Sequence, residues 1–452
     1  MSLASLILLL SAACGGRGEA SPTAAPSPAT TGTAAAAPGA TSTPPPATVT
    51  LEGRLREIED RVIAIRGLSR PEDVPKRFVD PAQMQALIDE ELADPETVED
   101  FDNAEHLYKL LGLIPQGSRL VDLYRTLLGA QVLGLYDDKK KEFFVLQSGA
   151  DVGASEESTY AHEYVHRLQD AHFDLTALLA SSKGADPASG AGRSDRESAI
   201  SALVEGDAVN AQSVYTLRHI SFARMADMLR EAADAERLTA DIPYVLHKGL
   251  EFPYVAGPSF VTALQLKGGQ ARLDAAFKSP PVTTEQVIHP EKFLAGEGPV
   301  AVKVPGDAVL GPGWKPVHAD SFGEFFLRTW LEAEGAGAAS STAAAGWGGD
   351  AFRLYASADG TYALAGVIVW DGGRADATEF FNAMSDALGK QQAFRKVALP
   401  AGGPVSLWSG PGGVLALALA EAPALLGTAT VIVIAPDANL AVNAFGALAS
   451  GG

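Results

Sequence analysis

The spacing of apolar and polar positions divides the chain into helical and strand-like stretches. Apolar residues recur every three or four positions in four early stretches, which predicts helices. These stretches are residues 51–68, 81–92, 104–113 and 120–128. Two apolar runs, 131–136 and 142–146, then flank a polar turn, a pattern typical of a β-hairpin. A longer helical pattern, residues 156–175, follows, and Ser155 or Ser158 is a candidate N-cap for it.

Helical patterns continue to about residue 266, interrupted by a Gly, Ala and Ser-rich loop at 181–194 and a proline-containing break at 252–258. A short helix after Pro281 has Thr283 or Thr284 as its cap. These elements predict one mainly helical domain with an edge β-hairpin, covering residues 51–310.

The pattern changes near residue 311, where a Gly-Pro-Gly linker precedes a second domain, residues 311–452. Ser321 and Glu324 form a capping-box pattern ahead of an apolar helix, and the glycine cluster 346–349 is typical of a tight turn. Five strands and one helix are predicted after that: residues 352–356, 362–370, 405–408, 414–419 and 430–434, and the helix 375–388. Residues 414–435 are long enough to span a membrane, but Glu421 and Pro423 favour two buried strands. The fold class is therefore α+β, with a mainly antiparallel sheet in the second domain.

The first fifty residues predict export and a tether. An apolar run, 6–10, leads to Cys14, the single cysteine of the chain, which predicts a lipoprotein-type signal segment at residues 1–14 with lipid on Cys14. No basic residue precedes the apolar run, which departs from the usual signal. Residues 15–50 are rich in Ala, Pro, Thr and Ser and predict a disordered tether. We therefore expect an extracytoplasmic protein that is lipid-anchored to the cell membrane.

The net charge argues against two classes of partner. The chain has 35 basic and 55 acidic residues, a net charge of −20, which argues against binding nucleic acid or adhering to anionic lipid. Nothing in the sequence indicates the oligomeric state.

The strongest chemical signal is the HExxH sequence at residues 162–166. On a helix with about 100° per residue, His162 and His166 lie roughly 40° apart and one turn along, so both imidazoles can hold one metal ion. Glu163 falls beside that ion, where it can act as the base for a zinc-activated water. Zinc is the expected metal for a set of nitrogen and carboxylate ligands.

Two residues compete for the third ligand position. His172 has the spacing of the longer motif HExxHxxGxxH, but Gln169 stands where that motif has its helix-breaking glycine. If the helix continues, His172 lies about 120° around and roughly 9 Å beyond His166. Glu205, on a later helix, would complete a set of two histidines and a glutamate with one position open for water. We favour Glu205 and keep His172 as the alternative.

These residues carry a resemblance to a known family. The motif with its continuation LQD and HFDL, the segment VEGDA at 204–208, and TEQVIHPEKF at 284–293 resemble the gluzincin metallopeptidases, and among them bacterial metallopeptidase lipoproteins. The resemblance spans roughly residues 105–295. It implies a peptidase-like, zincin-like domain and a bound zinc ion, but it does not supply a substrate. An edge strand before the motif helix lines the cleft in zincins and pairs with an extended substrate, so the hairpin either binds a peptide or protein substrate in this way or is structural only.

Other residues are weaker candidates for the same site. In thermolysin-like enzymes an acid four residues after the glutamate orients a histidine, but Val209 occupies that position here, so Asp207 and Asp170 are candidates for hydrogen bonds around the ligands. Oxyanion stabilisation requires a cationic or phenolic donor. Four side chains are candidates for it: His247, Tyr254, Tyr244 and His289.

The predicted function is a zinc metallopeptidase acting at the extracytoplasmic face. Two alternatives remain at this point: a non-catalytic envelope-binding lipoprotein with a structural metal, and a zinc hydrolase of non-peptide amides or esters. The second domain contains no constellation of catalytic side chains, so we expect it to pack against the peptidase cleft or to bind an envelope partner.

Overall fold

The structure is a computed structural model that describes residues 50–146, 153–398, 405–422 and 427–450. Cys14 and the predicted tether lie outside these residues, apart from Thr50, which caps the first helix. The described chain is α+β, with helices dominating up to about residue 300 and a large antiparallel sheet after residue 313.

The first part is built from eleven helices among the described residues. They are α1 Leu51–Arg66, α2 Pro81–Leu92, α3 Pro95–Leu111, α4 Leu120–Gln131, α5 Ala154–Phe173, α6 Leu175–Ala180, α7 Arg193–His219, α8 Phe222–Leu238, α9 Tyr244–Lys278, α10 Thr284–Ile288 and α11 Pro290–Ala295. The predicted helices are confirmed, with α2 matching its predicted bounds and α3 beginning nine residues earlier than the periodicity indicated.

A three-stranded sheet lies beside α5. It consists of β1 Lys76–Val79, β2 Gly134–Asp137 and β3 Glu142–Leu146, in the order β1-β3-β2. The predicted hairpin is confirmed as β2 and β3, which are antiparallel. The sequence missed β1, a four-residue strand parallel to β3, so β2 is at the edge of the sheet and β3 is central.

The second part is a seven-stranded antiparallel sheet with helices on both faces. Its strands are β4 Trp314–Asp320, β5 Trp347–Ser357, β6 Tyr362–Trp370, β7 Arg395–Val397, β8 Val405–Gly410, β9 Gly413–Ala422 and β10 Gly427–Ala435, in the order β4-β5-β6-β10-β9-β8-β7. The helices are α12 Gly323–Ala333, α13 Ala339–Ala344, α14 Arg374–Lys390 and α15 Ala438–Ala449. The predicted strands and the helix α14 are confirmed, whereas β4, β7, α13 and α15 were not predicted.

The two faces of this sheet bury different kinds of side chain. One face presents large residues such as Phe352, Ile368 and Ile432 to α12 and α14 and to the end of α3. The opposite face presents mainly alanine and valine to α15. Because successive strand residues point to opposite faces, this division produces the alternation of large and small apolar residues along β6, β9 and β10. The stretch 414–435 thus contains two buried strands, as the sequence indicated.

Several local predictions are wrong. The stretch 252–258 is not a break, since α9 runs through Pro253 and Pro258 and departs from helical geometry at Gly268 and Gly269. The helix packs along α7, and such packing offsets the destabilisation, roughly 3 kcal/mol each, that interior prolines cause. Neither serine caps α5, which begins after Gly153 without a side-chain cap.

Two further turn assignments need correction. The residues Ser321 and Glu324 do not form a capping box, because α12 begins after Phe322 and the Ser321 hydroxyl accepts a hydrogen bond from Gly192 N–H. The glycine cluster 346–349 is not a tight turn. It leads into β5, which has a bulge between Trp347 and Gly349.

Buried carboxylates lie at the starts of three helices, and one of them, Asp320, joins the two parts. Asp320, at the end of β4, accepts hydrogen bonds from the N–H and hydroxyl of Ser194 at the start of α7. Asp195 accepts the N–H of Thr284 at the start of α10, and Asp350 accepts the N–H groups of Phe322 and Gly323 at the start of α12. Each carboxylate therefore satisfies otherwise unpaired donors at a helix N-terminus, where negative charge is favourable.

Candidate metal centre

The helix α5 brings the two motif histidines together in the interior. Their ring centroids lie 4.7 Å apart at an interplanar angle of 78°, and their Nε2 atoms are 3.0 Å apart. Both side chains are buried. Two nitrogens bound to one tetrahedral zinc ion at about 2.0–2.1 Å lie roughly 3.3 Å from each other, so this spacing suits two zinc ligands.

Glu205 reaches the same point from α7. Its Oε2 lies 3.0 Å from Nε2 of His162 and 3.6 Å from Nε2 of His166. One ligand atom from each of the three residues lies within 4.8 Å of the others. We call His162, His166 and Glu205 the histidine trio.

A close crossing of two helices sets the position of Glu205. The helices α7 and α9 pack so closely at Gly206 that an added Cβ would lie 2.3 Å from the backbone of Gly257. An added Cβ at Gly257 would likewise lie 2.2 Å from the carbonyl oxygen of Ala202. Real side chains do not tolerate such distances, so glycine at both positions allows the contact that carries Glu205 to the histidines and Tyr254 to the ring of His162.

Two glutamines determine which nitrogen of each histidine faces the centre. The Nε2 amide of Gln169 donates to the carbonyl oxygen of Val204 at 2.9 Å, so its Oε1 must be the atom 2.9 Å from Nδ1 of His166. The Nε2 amide of Gln212 donates to the carbonyl oxygen of Ser158, which places its Oε1 3.2 Å from Nδ1 of His162. An amide oxygen can only accept, so each Nδ1 carries a proton and each neutral ring directs its Nε2 lone pair inward.

Asp207 contacts one of these glutamines and no histidine. Its Oδ2 accepts from Nε2 of Gln169 at 3.0 Å and from Nε of Arg66 at 2.8 Å. Both members of the Arg66–Asp207 pair are buried, and Arg66 also reaches Asp274 at 2.7 Å. Asp207 therefore orients the glutamine that orients His166, and does not itself contact a histidine.

Asp170 hydrogen-bonds residues of the β2–β3 hairpin and not the histidines. Its carboxylate accepts from the Tyr136 hydroxyl at 2.7 Å and from Nζ of Lys141 at 2.7 Å, which fastens both sides of the β2–β3 hairpin to α5. Among the described residues, no hydrogen bond joins Asp170 to His162, His166 or Glu205.

Glu163 lies between the hairpin and the centre. Its Oε2 accepts the backbone N–H of Tyr136 in the edge strand β2 at 2.7 Å. Its Oε1 is buried and has no hydrogen-bond partner among the described residues. Close approach of β2 depends on Gly134, where an added Cβ would meet Thr159 at 2.8 Å. One carboxylate oxygen is thus held by the sheet, while the other is free to accept a hydrogen bond from a group outside the described residues.

His172 points away from the trio. The helix α5 continues through Gln169 and ends at Phe173, as expected from the absence of a glycine. The ring of His172 is exposed, with Nδ1 2.8 Å from the carbonyl oxygen of Leu168 and Nε2 3.0 Å from the hydroxyl of Ser69. The geometry brings Glu205 to the histidines and leaves His172 outside.

Of the four candidates for oxyanion stabilisation, Tyr254 is the one placed beside the trio. Its ring stacks with that of His162 at a centroid distance of 6.3 Å. The remaining three make other contacts: His247 with the carbonyl oxygen of Thr239 at 2.7 Å, Tyr244 with Glu332 at 2.9 Å, and His289 with Glu324 at 2.9 Å. These contacts do not support an oxyanion role for His247, Tyr244 or His289.

The trio attracts positive charge. Burial alone would lower the pKa of His166, but the Glu205 carboxylate raises it to about 9. Burial alone would raise the pKa of Glu205, yet the two histidines lower it to about 2. Two inward lone pairs and a carboxylate are stable in a low-dielectric interior only with a proton or a metal cation among them.

The donor set fits zinc. Two neutral imidazole nitrogens and one carboxylate oxygen form a known catalytic zinc set. The second oxygen of Glu205, Oε1, is buried without a hydrogen-bond partner among the described residues, as Oε1 of Glu163 is. Buried oxygens of this kind need a cation or a hydrogen-bond donor, and no described residue provides one for these two.

Comparisons with known proteins identify one segment. Residues 313–443 match a family model described as a domain of unknown function, DUF8575, which falls within the predicted second domain. No curated protein and no solved structure matches the chain.

Proposed function

We propose that the protein is a zinc-dependent hydrolase of peptide bonds. The observation that carries the proposal is the convergence of two inward imidazole lone pairs and the Glu205 carboxylate. Glu163, which adjoins His162 in the motif, adds a buried Oε1 that has no hydrogen-bond partner among the described residues. Zincin-like identity of the first part is included in this proposal, since a helix bearing HExxH, an edge strand beside it and a glutamate on a later helix are the parts such enzymes share.

Each residue of the site has a separate role in the proposed hydrolysis. His162, His166 and Glu205 would hold zinc, which when bound lowers the pKa of a water molecule and polarises a carbonyl group. Glu163 accepts the proton of the attacking water on Oε1 and delivers it to the leaving amine, while Tyr136 N–H keeps the other oxygen in place. Tyr254 is the nearest phenolic donor for the developing oxyanion.

The edge strand supports a peptide as the substrate. An extended peptide can add to the edge of β2 through its backbone groups other than the Tyr136 N–H, which Glu163 already accepts. This arrangement favours a peptide over compact amides or esters, which gain nothing from a strand edge.

A Glu163→Gln variant tests the proposal. It should retain stoichiometric zinc and lose at least about 100-fold in hydrolysis of a peptide library, because the amide cannot take the proton. Glu251→Gln, an exchange in a surface pair with Lys248 on α9, is the matched control and should keep full activity. Zinc binding without peptide hydrolysis by the wild type would instead support a structural metal. Turnover of esters or cell-wall fragments alone would support the non-peptide alternative.

We propose further that the enzyme acts outside the cytoplasm, anchored by lipid on Cys14. Among the described residues, no helix is both long and apolar enough to cross a membrane. Replacement of Cys14 by serine should move the protein from the membrane fraction to the soluble fraction. Continued sedimentation of Cys14→Ser with membranes would contradict lipid attachment at this residue.

A further inference from the structure

A cavity of about 130 Å³ lies between the two parts of the molecule, with walls from α3, α4, α7 and α9 on one side and from β4, α12 and β5 on the other. No member of the histidine trio lines it. The DUF8575 segment therefore contributes a wall to a space distinct from the candidate metal centre.

Part of this wall is aromatic and comes from both parts of the molecule. Phe101 of α3 meets Tyr124 of α4 edge to face at a centroid distance of 4.9 Å, and Tyr108 of α3 stacks on Phe326 of α12 at 5.9 Å. These four residues and Val245 of α9 pack in one apolar cluster. An engineered apolar cavity of roughly 150 Å³ accommodates benzene, so this cavity has the size for a body of about one aromatic ring.

The acids elsewhere on the wall already have partners. Four acids line the cavity with one arginine, and each of them accepts a hydrogen bond or ion pair from the chain. The contacts are those of Asp100 and Glu197 with Arg193, of Asp195 with Thr284, and of Asp320 with Ser194. These contacts remove the need for a cation, and an anionic ligand would meet an excess of like charge. We therefore expect any ligand of this cavity to be neutral.

Two phenolic hydroxyl groups on the aromatic part of the wall lack partners. Among the described residues, none forms a hydrogen bond with the hydroxyl of Tyr108 or Tyr124. Tyr124 is only 3% exposed, yet protein atoms do not enclose its hydroxyl oxygen, which therefore faces the cavity that the residue lines. The two hydroxyl groups are neighbours, since Tyr108 adds to the effect of burial that raises the pKa of Tyr124. A buried hydroxyl without a partner is destabilising, so this pair points to a bound polar group.

We propose that this cavity binds a small neutral carbonyl compound with an aromatic body. The ring packs against Phe101 and Phe326, and the hydroxyl groups of Tyr108 and Tyr124 donate hydrogen bonds to the carbonyl oxygen. A carbonyl oxygen has two lone pairs, so one such atom can accept from both phenols. The proposal is independent of the hydrolase function, because it uses no residue of the histidine trio.

A comparison of three probes of similar size tests the proposal: acetophenone, ethylbenzene, which lacks the oxygen, and benzoate, which is anionic. Isothermal titration calorimetry on the full chain measures their binding. We expect acetophenone to bind, and benzoate to bind at least about tenfold more weakly, because its charge must be desolvated beside the acids.

Tyr124→Phe isolates the hydroxyl group, since it keeps the ring. It should weaken acetophenone binding about fivefold and leave ethylbenzene binding unchanged or stronger, because only acetophenone loses a hydrogen bond. Tyr362→Phe is the matched control. Tyr362, in β6, is half-buried and does not line the cavity, so its replacement should change neither affinity.

Gly249 offers a direct way to fill the cavity. This glycine of α9 lines the cavity, and an added Cβ there meets nothing within 4 Å. Leucine at this position can enter the open space and also favours the helix, so Gly249→Leu should abolish binding of acetophenone and ethylbenzene alike. Gly446, in α15, has the same open surroundings but does not line the cavity, and Gly446→Leu should leave binding unchanged.

Four results would overturn the proposal. They are undetectable acetophenone binding to the wild type, benzoate binding as tight as that of acetophenone, unchanged acetophenone affinity in Tyr124→Phe, and acetophenone binding that survives in Gly249→Leu. Thermal unfolding of each variant shows whether it is folded. If Gly249→Leu does not fold, Tyr124→Phe decides.

Discussion

Two groups of potential metal ligands occur among the described residues. They differ in whether a positively charged side chain neutralises them. The histidine trio and a second group, Glu285, Glu297 and Asp371, each place three ligand atoms within 4.8 Å of one another. We call the second group the acidic trio. Proximity alone therefore does not distinguish a functional site from a structural one.

A lysine side chain neutralises the acidic trio. The ammonium group of Lys292 lies 2.6 Å from Glu285, 2.5 Å from Asp371 and 2.9 Å from Glu297. Lys292 thereby links α11 to the end of β6. Two of the three acids are exposed, so water can also solvate them.

The histidine trio is buried, and its orientation is set by neighbours that add no positive charge. Gln169 and Gln212 are neutral, and the charge of Arg66 is directed to Asp207 and Asp274. Two oxygens beside the histidines, one each on Glu163 and Glu205, remain without partners among the described residues. Buried acceptor oxygens without a donor or cation therefore indicate a functional site more strongly than a group of neighbouring acceptors does.

The largest expected effect is a loss of zinc, and it distinguishes Glu205 from His172 as the third ligand. Glu205→Ala leaves two imidazoles, which hold zinc far more weakly than three ligands, so the site should be empty at micromolar free zinc. His172→Ala, the matched control, removes an exposed ring outside the trio and should keep its zinc. Atomic emission on the two dialysed proteins gives the metal content. Zinc lost from His172→Ala and retained by Glu205→Ala would contradict the histidine trio as the metal site.

The next effect concerns how the histidine trio is built. Gly206→Ala places a methyl group 2.3 Å from the backbone of Gly257 and must separate α7 from α9. We expect a loss of about 1–3 kcal/mol in the free energy of unfolding, as for other overpacked cores, with a lower zinc affinity because Glu205 moves with α7.

Chemical denaturation and competition with a zinc chelator measure these two quantities. Gly446→Ala, on an open helix surface, is the control and should be neutral or slightly stabilising. Unchanged zinc affinity in a destabilised Gly206→Ala protein would show that the helix crossing does not set the ligand position.

A smaller effect is expected when Lys292 is replaced, because the acidic trio should then become a metal site. Lys292→Met removes the ammonium group and leaves three carboxylates repelling one another, which should cost roughly 1–2 kcal/mol because two of the acids are exposed. Millimolar Ca²⁺ should then restore part of the loss, since carboxylate oxygens are ligands that Ca²⁺ prefers. Thermal unfolding with and without Ca²⁺ tests this, with Lys248→Met in a simple surface pair as the control. Equal Ca²⁺ response in the two variants would refute the comparison.

The sequence predicted the local parts of the candidate centre. His162, Glu163 and His166 follow from helix periodicity, and the unbroken run through Gln169 placed His172 away from them. Glu205 required the resemblance, because no periodicity links positions 43 residues apart. The hairpin and most strands of the second part followed from two-residue alternation, since that signal is contained within each strand.

Residues whose roles depend on helix packing could not be predicted in the same way. Arg66 meets Asp207 across 141 residues, and the contact between Gly206 and Gly257 depends on how α7 crosses α9. Two signals were nevertheless present: Gln169 lies three positions after His166, and Gln212 lies seven after Glu205, so each shares a helix face with a ligand. The elements that were missed, β1, β4, β7, α13 and α15, are mostly short or depend on pairing with distant strands.

The last effect is a pH dependence that distinguishes the acids of the two trios. Burial raises the pKa of Glu285 to about 7 despite the opposing charge of Lys292, whereas the pKa of Glu205 is lowered to about 2. A carboxyl group whose pKa is higher in the folded than in the unfolded protein stabilises the fold below its unfolded pKa of about 4.3, and this contribution is lost as pH rises toward 7. Glu285→Gln does not titrate, so its stability relative to the wild type should increase between pH 4.5 and 7, by at most about 3 kcal/mol.

Glu205 has the opposite sign. Its contribution is present above pH 4.3 and is lost only as pH falls toward 2, so it is constant over the window in which Glu285 titrates. Urea unfolding of the wild type and Glu285→Gln at pH 4.5 and 7, both in the presence of a zinc chelator, isolates the difference. The control exchange Glu251→Gln, at a half-buried residue of α9, should show no such trend. If Glu285→Gln instead lost stability relative to the wild type as pH rose, Glu285 would be ionised throughout, and Lys292, more than burial, would determine its charge.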